Sequence, residues 1–247
     1  DPISLSLGDL NLDGQPDIIV GSYSSGSLSI YFNDQGNFEG RFPKASLTVG
    51  KTVSGVLAVD VNYDNKPDIV AAATDDNRLV VIINNGLPNI QMYNLPTQGL
   101  PRAVQAGDIN GDGFLDLIVP CNTTSTVDVF LNIKGTGFDT QVPYTPFPAQ
   151  CTGPVQAAIY DIDRDGRQDV GVLCQTGIGL LLGDLFFLDL AGELASGYVL
   201  DFFDRVVDEL LVERRTGGRA DGGTADAGHS GQSSSGVLGR LGLHRNS

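Results

Sequence analysis

Asp108-Ile109-Asn110-Gly111-Asp112-Gly113-Phe114-Leu115-Asp116 is the stretch on which the reading of this 247-residue chain turns. Side-chain oxygens stand at positions 1, 3, 5 and 9 of the nonapeptide, and glycine stands at position 6. The same pattern opens at Asp9 (Asp9-Leu-Asn11-Leu-Asp13-Gly14-Gln15-Pro16-Asp17) and at Asp60 (Asp60-Val-Asn62-Tyr-Asp64-Asn65-Lys66-Pro67-Asp68). It returns a last time at Asp161 (Asp161-Ile-Asp163-Arg-Asp165-Gly166-Arg167-Gln-Asp169), the first aspartates lying 51, 48 and 53 residues apart. Asp and Asn are common enough here to produce the pattern roughly 0.04 times by chance. Four occurrences therefore mean an internal repeat of about 50 residues.

The flanks repeat as well. Proline precedes the first aspartate by seven residues at Pro2, Pro101 and Pro154, and asparagine follows the last by 16 at Asn33, Asn84 and Asn132. Alternating apolar residues (Leu5 and Leu7, Val104 and Ala106) come before the loop. Short β-branched runs such as Ile18-Ile19-Val20 and Leu117-Ile118-Val119 come after it. Polar turns (Ser24-Ser25-Gly26, Asp75-Asp76-Asn77) lead to a third run, as at Leu28 to Phe32 and Leu79 to Ile83. Lengths of 4 to 8 residues with turn residues between them read as strands. Three or four antiparallel strands cannot bury both faces alone, so the units are expected to stack radially as all-β propeller blades of four strands. The expected blades are 1–50, 51–99, 100–152 and an incomplete one over 153–183.

With four D-x-[ND]-x-D-[GN]-x-x-D-[ILV] loops between strands, residues 1–183 resemble the FG-GAP/VCBS repeat family, the calcium-loop blades of integrin-α-like β-propellers. The resemblance implies about seven blades in a closed ring, so further blades are expected outside this chain, and the blade edges left open are expected to self-associate. It also implies an extracellular or cell-surface location. Such blades serve adhesion receptors, lectins and accessory domains of enzymes, so the family alone does not fix a function.

The chemistry of the loop is that of a hard cation. Side-chain oxygens at alternate positions converge when the backbone coils tightly, position 7 adds its backbone carbonyl, and the last aspartate closes the shell. The expected ligands are Asp9, Asn11, Asp13, the Gln15 carbonyl and Asp17; then Asp60, Asn62, Asp64, the Lys66 carbonyl and Asp68. The third set is Asp108, Asn110, Asp112, the Phe114 carbonyl and Asp116, and the fourth is Asp161, Asp163, Asp165, the Arg167 carbonyl and Asp169. Two carboxylates about 5 Å apart repel by roughly 3 kcal/mol at an effective dielectric near 20, so a bare loop would be pulled open. All-oxygen ligands without His or Cys favour Ca²⁺, up to four ions, one per repeat. An EF-hand is excluded, because its bidentate Glu at position 12 is Val20, Ala71, Val119 and Val172 here. Position 6 requires a positive φ, which Gly14, Gly113 and Gly166 supply freely and Asn65 tolerates.

Charge follows from the same loops. The chain carries −15, and its acids are 26 Asp against four Glu. That balance argues against nucleic-acid or anionic-membrane partners. No apolar run reaches the length of about 18 residues that spans a bilayer, and no signal peptide is visible. Three cysteines allow at most one internal pair: Cys151 with Cys121 or with Cys174, or three buried free thiols. Asn122-Thr123-Thr124 is a sequon. From Leu182 onward composition changes: all 12 Pro and all four Lys lie before it. Residues 184–216 carry helical apolar spacing (Val199, Phe202, Phe203, Val206, Leu210), and 217–247 are Gly/Ser-rich and expected to be disordered. This part is either a C-terminal extension or the product of a frame error or splice.

Two functions compete on these residues. One is a calcium-stabilised binding module for protein or carbohydrate ligands, adhesion-like and not an enzyme. The other is the propeller domain of a secreted carbohydrate-active enzyme whose catalytic part lies elsewhere. No His lies in the repeats, and neither G-x-S-x-G nor H-E-x-x-H occurs.

Overall fold

Short β-branched runs punctuated by glycine and asparagine turns become 15 strands in the computed structural model, which describes residues 1–36, 45–139, 142–144 and 151–181. The first sheet is β1 (Pro2–Gly8), β2 (Asp17–Ser22), β3 (Ser27–Tyr31) and β4 (Ala45–Thr48), hydrogen-bonded in that order. The second is β5 (Val53–Val59), β6 (Asp68–Ala73), β7 (Arg78–Asn84) and β8 (Ile90–Pro96), and the third is β9 (Gln105–Gly107), β10 (Asp116–Cys121), β11 (Thr126–Phe130) and β12 (Val142–Tyr144). The fourth holds three described strands, β13 (Pro154–Tyr160), β14 (Asp169–Cys174) and β15 (Gly177–Leu181). Every pairing is antiparallel between sequence neighbours, so each sheet is a meander, the form of a propeller blade. The chain divides into two compact units, Asp1–Ala195 and Ser196–Ser247, and the tail segments 184–216 and 217–247 lie outside the described residues.

Face-to-face stacking explains the composition of the inner strands. β6 and β10 are buried along their whole length, and each reads as a continuous apolar run behind its aspartate. One core joins the first and second sheets through Ile19, Leu28, Ile30, Val53, Ile69 and Val80. A second joins the second and third through Val70, Leu79, Val81, Leu117, Val119 and Phe130, and a third lies between the third and fourth through Ile118, Val129, Ala157, Val170 and Val172. β2 instead alternates buried with half-buried residues, because only one of its faces meets another sheet. Ile3, Leu5 and Leu7 on β1, and Tyr160, Leu173 and Ile178 on the fourth sheet, are exposed. On β1 the intervening residues turn to the second sheet: Ser6 Oγ accepts the Ala58 N–H at 2.9 Å, and a Cβ on Gly8 would meet Ala58.

The recurring proline has a geometric role. Pro2 and Pro154 sit where the register shifts in the first strand of their sheets, as Val53 does in the second. Pro101 pairs with Cys121 in an isolated bridge. A residue without an N–H is tolerated at a bulge, where the ladder is already interrupted. Of the cysteine alternatives, Cys151 and Cys174 form the disulfide, with Cα atoms 5.5 Å apart, and Cys121 is a buried free thiol.

Candidate metal centres

Each acidic nonapeptide connects the first two strands of its sheet: 9–16 between β1 and β2, 60–67 between β5 and β6, 108–115 between β9 and β10, and 161–168 between β13 and β14. All four coil in the same way. The carboxylate at position 1 accepts the N–H groups of positions 5 and 6, as Asp108 does from Asp112 at 3.0 Å and Gly113 at 2.9 Å. Asp9, Asp60 and Asp161 repeat this pair of bonds. The position-3 oxygen of Asn11, Asn62, Asn110 or Asp163 also accepts the position-5 N–H. The position-5 carboxylate of Asp13, Asp64, Asp112 or Asp165 accepts from the N–H of position 7, namely Gln15, Lys66, Phe114 or Arg167. These bonds tie the side chains at 1, 3 and 5 to the backbone of one turn.

Two positions carry the strain. Position 6 has φ of 86° at Gly14, 64° at Asn65, 87° at Gly113 and 91° at Gly166. Open space surrounds the three glycines, so their requirement is conformational, not steric. The sequence gives no sign of the second position. Position 4 is also left-handed, with φ of 60° at Leu12, 61° at Tyr63, 74° at Gly111 and 62° at Arg164. A bulky residue in that region costs roughly 1–3 kcal/mol and persists only where neighbouring bonds impose it. The paired acceptors on the position-5 N–H do so here.

The aspartate at position 9 is different in kind. Asp17, Asp68, Asp116 and Asp169 are almost fully buried at the start of β2, β6, β10 and β14. One carboxylate oxygen accepts the N–H of position 2: Leu10, Val61, Ile109 and Ile162 at 2.9, 3.0, 3.0 and 2.7 Å. In the first three sheets the other oxygen accepts the N–H of the recurring asparagine, Asn33, Asn84 and Asn132, at 2.8 Å. Burial pushes Asp68 and Asp116 up to about 6 against those backbone bonds, and neighbouring loop carboxylates push the same way. Asp17 is raised for the same first cause. A cation beside these groups would favour the ionised form.

The donor set fits calcium. In the fourth loop, where position 3 is Asp163, carboxylate oxygens of Asp161, Asp163 and Asp169 lie within 4.8 Å of one another. Opposed ligands on a calcium ion are separated by roughly 4.6–5.2 Å, twice the Ca–O distance. Asp165 stays outside that group. The second loop contains its own competitor: Lys66 Nζ lies 2.8 Å from Asp64 Oδ2. Burial raises the Asp64 carboxyl, but the Lys66 ammonium and N–H outweigh it and hold the group below its ordinary value. A calcium ion in this loop must share Asp64 with the lysine.

Four antiparallel blades with an acidic loop between the first two strands of each define a repeat protein of the β-propeller class. The FG-GAP-like repeat family matches residues 9–71 and 60–119, consistent with the FG-GAP repeats expected from the sequence. No curated protein matches the chain. Among solved structures, the chain is similar to BBS1N in complex with ARL6DN, at 13% identity and a TM-score of 0.46 over 69% of this chain and 47% of that one. It is similar to an Agrocybe aegerita lectin specific for non-reducing terminal N-acetylglucosamine, at 16% identity and a TM-score of 0.47 over 73% of this chain and 49% of that one. The Photorhabdus luminescens Tc holotoxin pore is similar at 21% identity and a TM-score of 0.40, over 71% of this chain and 9% of that one. The chain thus spans about half, or far less, of these structures. At such identities the likeness concerns the fold alone. No helix among the described residues is long and apolar enough to cross a membrane.

Proposed function

We propose that the chain is a calcium-stabilised β-propeller binding module, extracellular or on a cell surface, that recognises a protein or carbohydrate ligand. The observation that carries the calcium is the fourfold recurrence of one oxygen-lined loop, with the same backbone bonds, between the first two strands of every sheet. Calcium in this reading fastens a strand connection and is structural. Each loop would supply the position 1, 3, 5 and 9 side chains and the position 7 carbonyl. An affinity on the order of 10⁻⁴ M, as in extracellular modules, suits the role.

Recognition is assigned to the opposite end of the blades, where the β2–β3, β6–β7 and β10–β11 turns lie. A cleft of about 410 Å³ opens near there, lined by Thr48, Gly50, Asp76, Arg78, Tyr93 and Asn94. An aromatic ring, a cation and an amide lining one cleft suit a polar ligand such as a sugar. The test is a glycan and extracellular-protein array probed with the intact chain in calcium and in EDTA, beside Arg78→Ala. Binding in calcium that falls in EDTA and in the variant supports the reading; binding indifferent to both, or turnover of a bound polysaccharide, rejects it.

A further inference from the structure

Tyr63 belongs to the second loop but makes its polar contacts in the third. Its hydroxyl donates to the Gly113 carbonyl at 3.1 Å and accepts the Leu115 N–H at 2.7 Å. Its ring meets that of Phe114 edge to face, with centroids 4.8 Å apart. Gly113 and Leu115 flank Phe114, whose backbone carbonyl is the expected position 7 ligand of the third loop. The left-handed backbone at position 4 aims the side chain outward from its own turn, at φ 61°. Leu12, Gly111 and Arg164 hold the equivalent position and bring no hydroxyl there.

The second loop is gripped by the third blade at two further points. Asn132 Nδ2 donates to the Val61 carbonyl at 2.9 Å. Gly135, at φ 77°, passes so close to the Asn62 carbonyl that a Cβ would lie 2.8 Å from it. Residues 61 and 63 are thus hydrogen-bonded to the neighbouring blade, and residue 62 lies close against it.

We propose that Tyr63 is a positioning residue for the metal site of the third loop, holding the Phe114 carbonyl in place from the preceding blade. The proposal rests on the calcium reading of the loops. It makes the second and third sites unequal to the others: ordering of either loop favours ordering of its neighbour, and the effect is reciprocal. Tyr63→Phe keeps the ring and removes only the hydroxyl.

The test is calcium titration calorimetry of the intact chain as wild type, Y63F, D112N and the double variant, with melting in EDTA to verify folding. Y63F is expected to weaken one site about threefold to tenfold, the worth of a hydrogen bond or two. D112N is expected to remove that site, so that Y63F has no additional effect in the D112N background. A Y63F titration indistinguishable from wild type, or a weakening that survives D112N, overturns the positioning role while leaving the loops as calcium sites. A wild type that binds no calcium overturns both.

Discussion

Asn84 Nδ2 donates to the backbone carbonyl of Leu10, 74 residues earlier in the chain, at 2.9 Å. Asn132 repeats the contact one blade on, reaching Val61. Each asparagine also donates to its own loop, at Pro67 or Leu115, and accepts an N–H from the following turn, at Gly86 or Gly135. The side chain therefore staples the acidic loop of one blade to that of the preceding one.

Asn132→Ala is expected to lower stability by roughly 1–3 kcal/mol, because it strands the buried Val61 carbonyl together with a part-buried carbonyl at Leu115 and a part-buried N–H at Gly135. Urea unfolding checks it. Asn33 donates within its own unit, to Pro16. Asn33→Ala is accordingly expected to cost less than half as much.

The two aspartates of one loop are expected to separate under mutation. Asp112 is exposed and serves the loop turn, whereas Asp116 is buried and accepts N–H groups from Ile109 and Asn132. Asp116→Asn places an amide NH₂ against a backbone donor and is expected to cost roughly 1–3 kcal/mol even in EDTA. Asp112→Asn is expected to be nearly neutral in EDTA and to abolish one calcium equivalent. Parallel melting curves with and without calcium distinguish the pair.

Acidity offers a third check. Burial raises Asp68 and Asp116 to about 6 in the folded chain, above an ordinary value of 3.8. The calcium-free fold therefore holds more protons than the unfolded chain between those values, and its stability falls as pH rises from about 4 through about 6. Under the calcium reading the ion would compete with those protons, so added calcium is expected to flatten or reverse the slope. Denaturant midpoints across pH 4 to 7, in EDTA and in calcium, report both.

The cysteines give a fourth. The Cys151–Cys174 bridge closes a loop of 23 residues, and its loss is expected to cost about 3 kcal/mol. Cys121 Sγ donates to Asp128 Oδ2 at 3.2 Å, and burial with that carboxylate holds the thiol well above its ordinary range. A thiol reagent should find no reactive group in the folded chain and one after unfolding without reductant.

Much of this was legible in the residues because the loop is short and its hydrogen bonds are local. The position-6 glycines, the strand on either side and the meander order all follow from spacing within one unit. What sequence could not show was reach between units. Asn33, Asn84 and Asn132 recur at a fixed distance, but the carbonyl each amide seeks is defined only once blades stack. Tyr63 gives even less warning, since it occurs in one loop and its partners lie about 50 residues on. Spacing alone makes the buried aspartate a fourth side-chain ligand, while its two backbone bonds, which tie the loop to the end of the third strand, appear only in the packed structure.

The measurement that bears most directly on the whole account is thermal melting of the intact chain as calcium is raised from an EDTA-buffered zero to millimolar. Binding to the folded state alone must raise the midpoint steadily with calcium. The account requires that rise, and requires D112N to diminish it. A midpoint unchanged across the titration would contradict it.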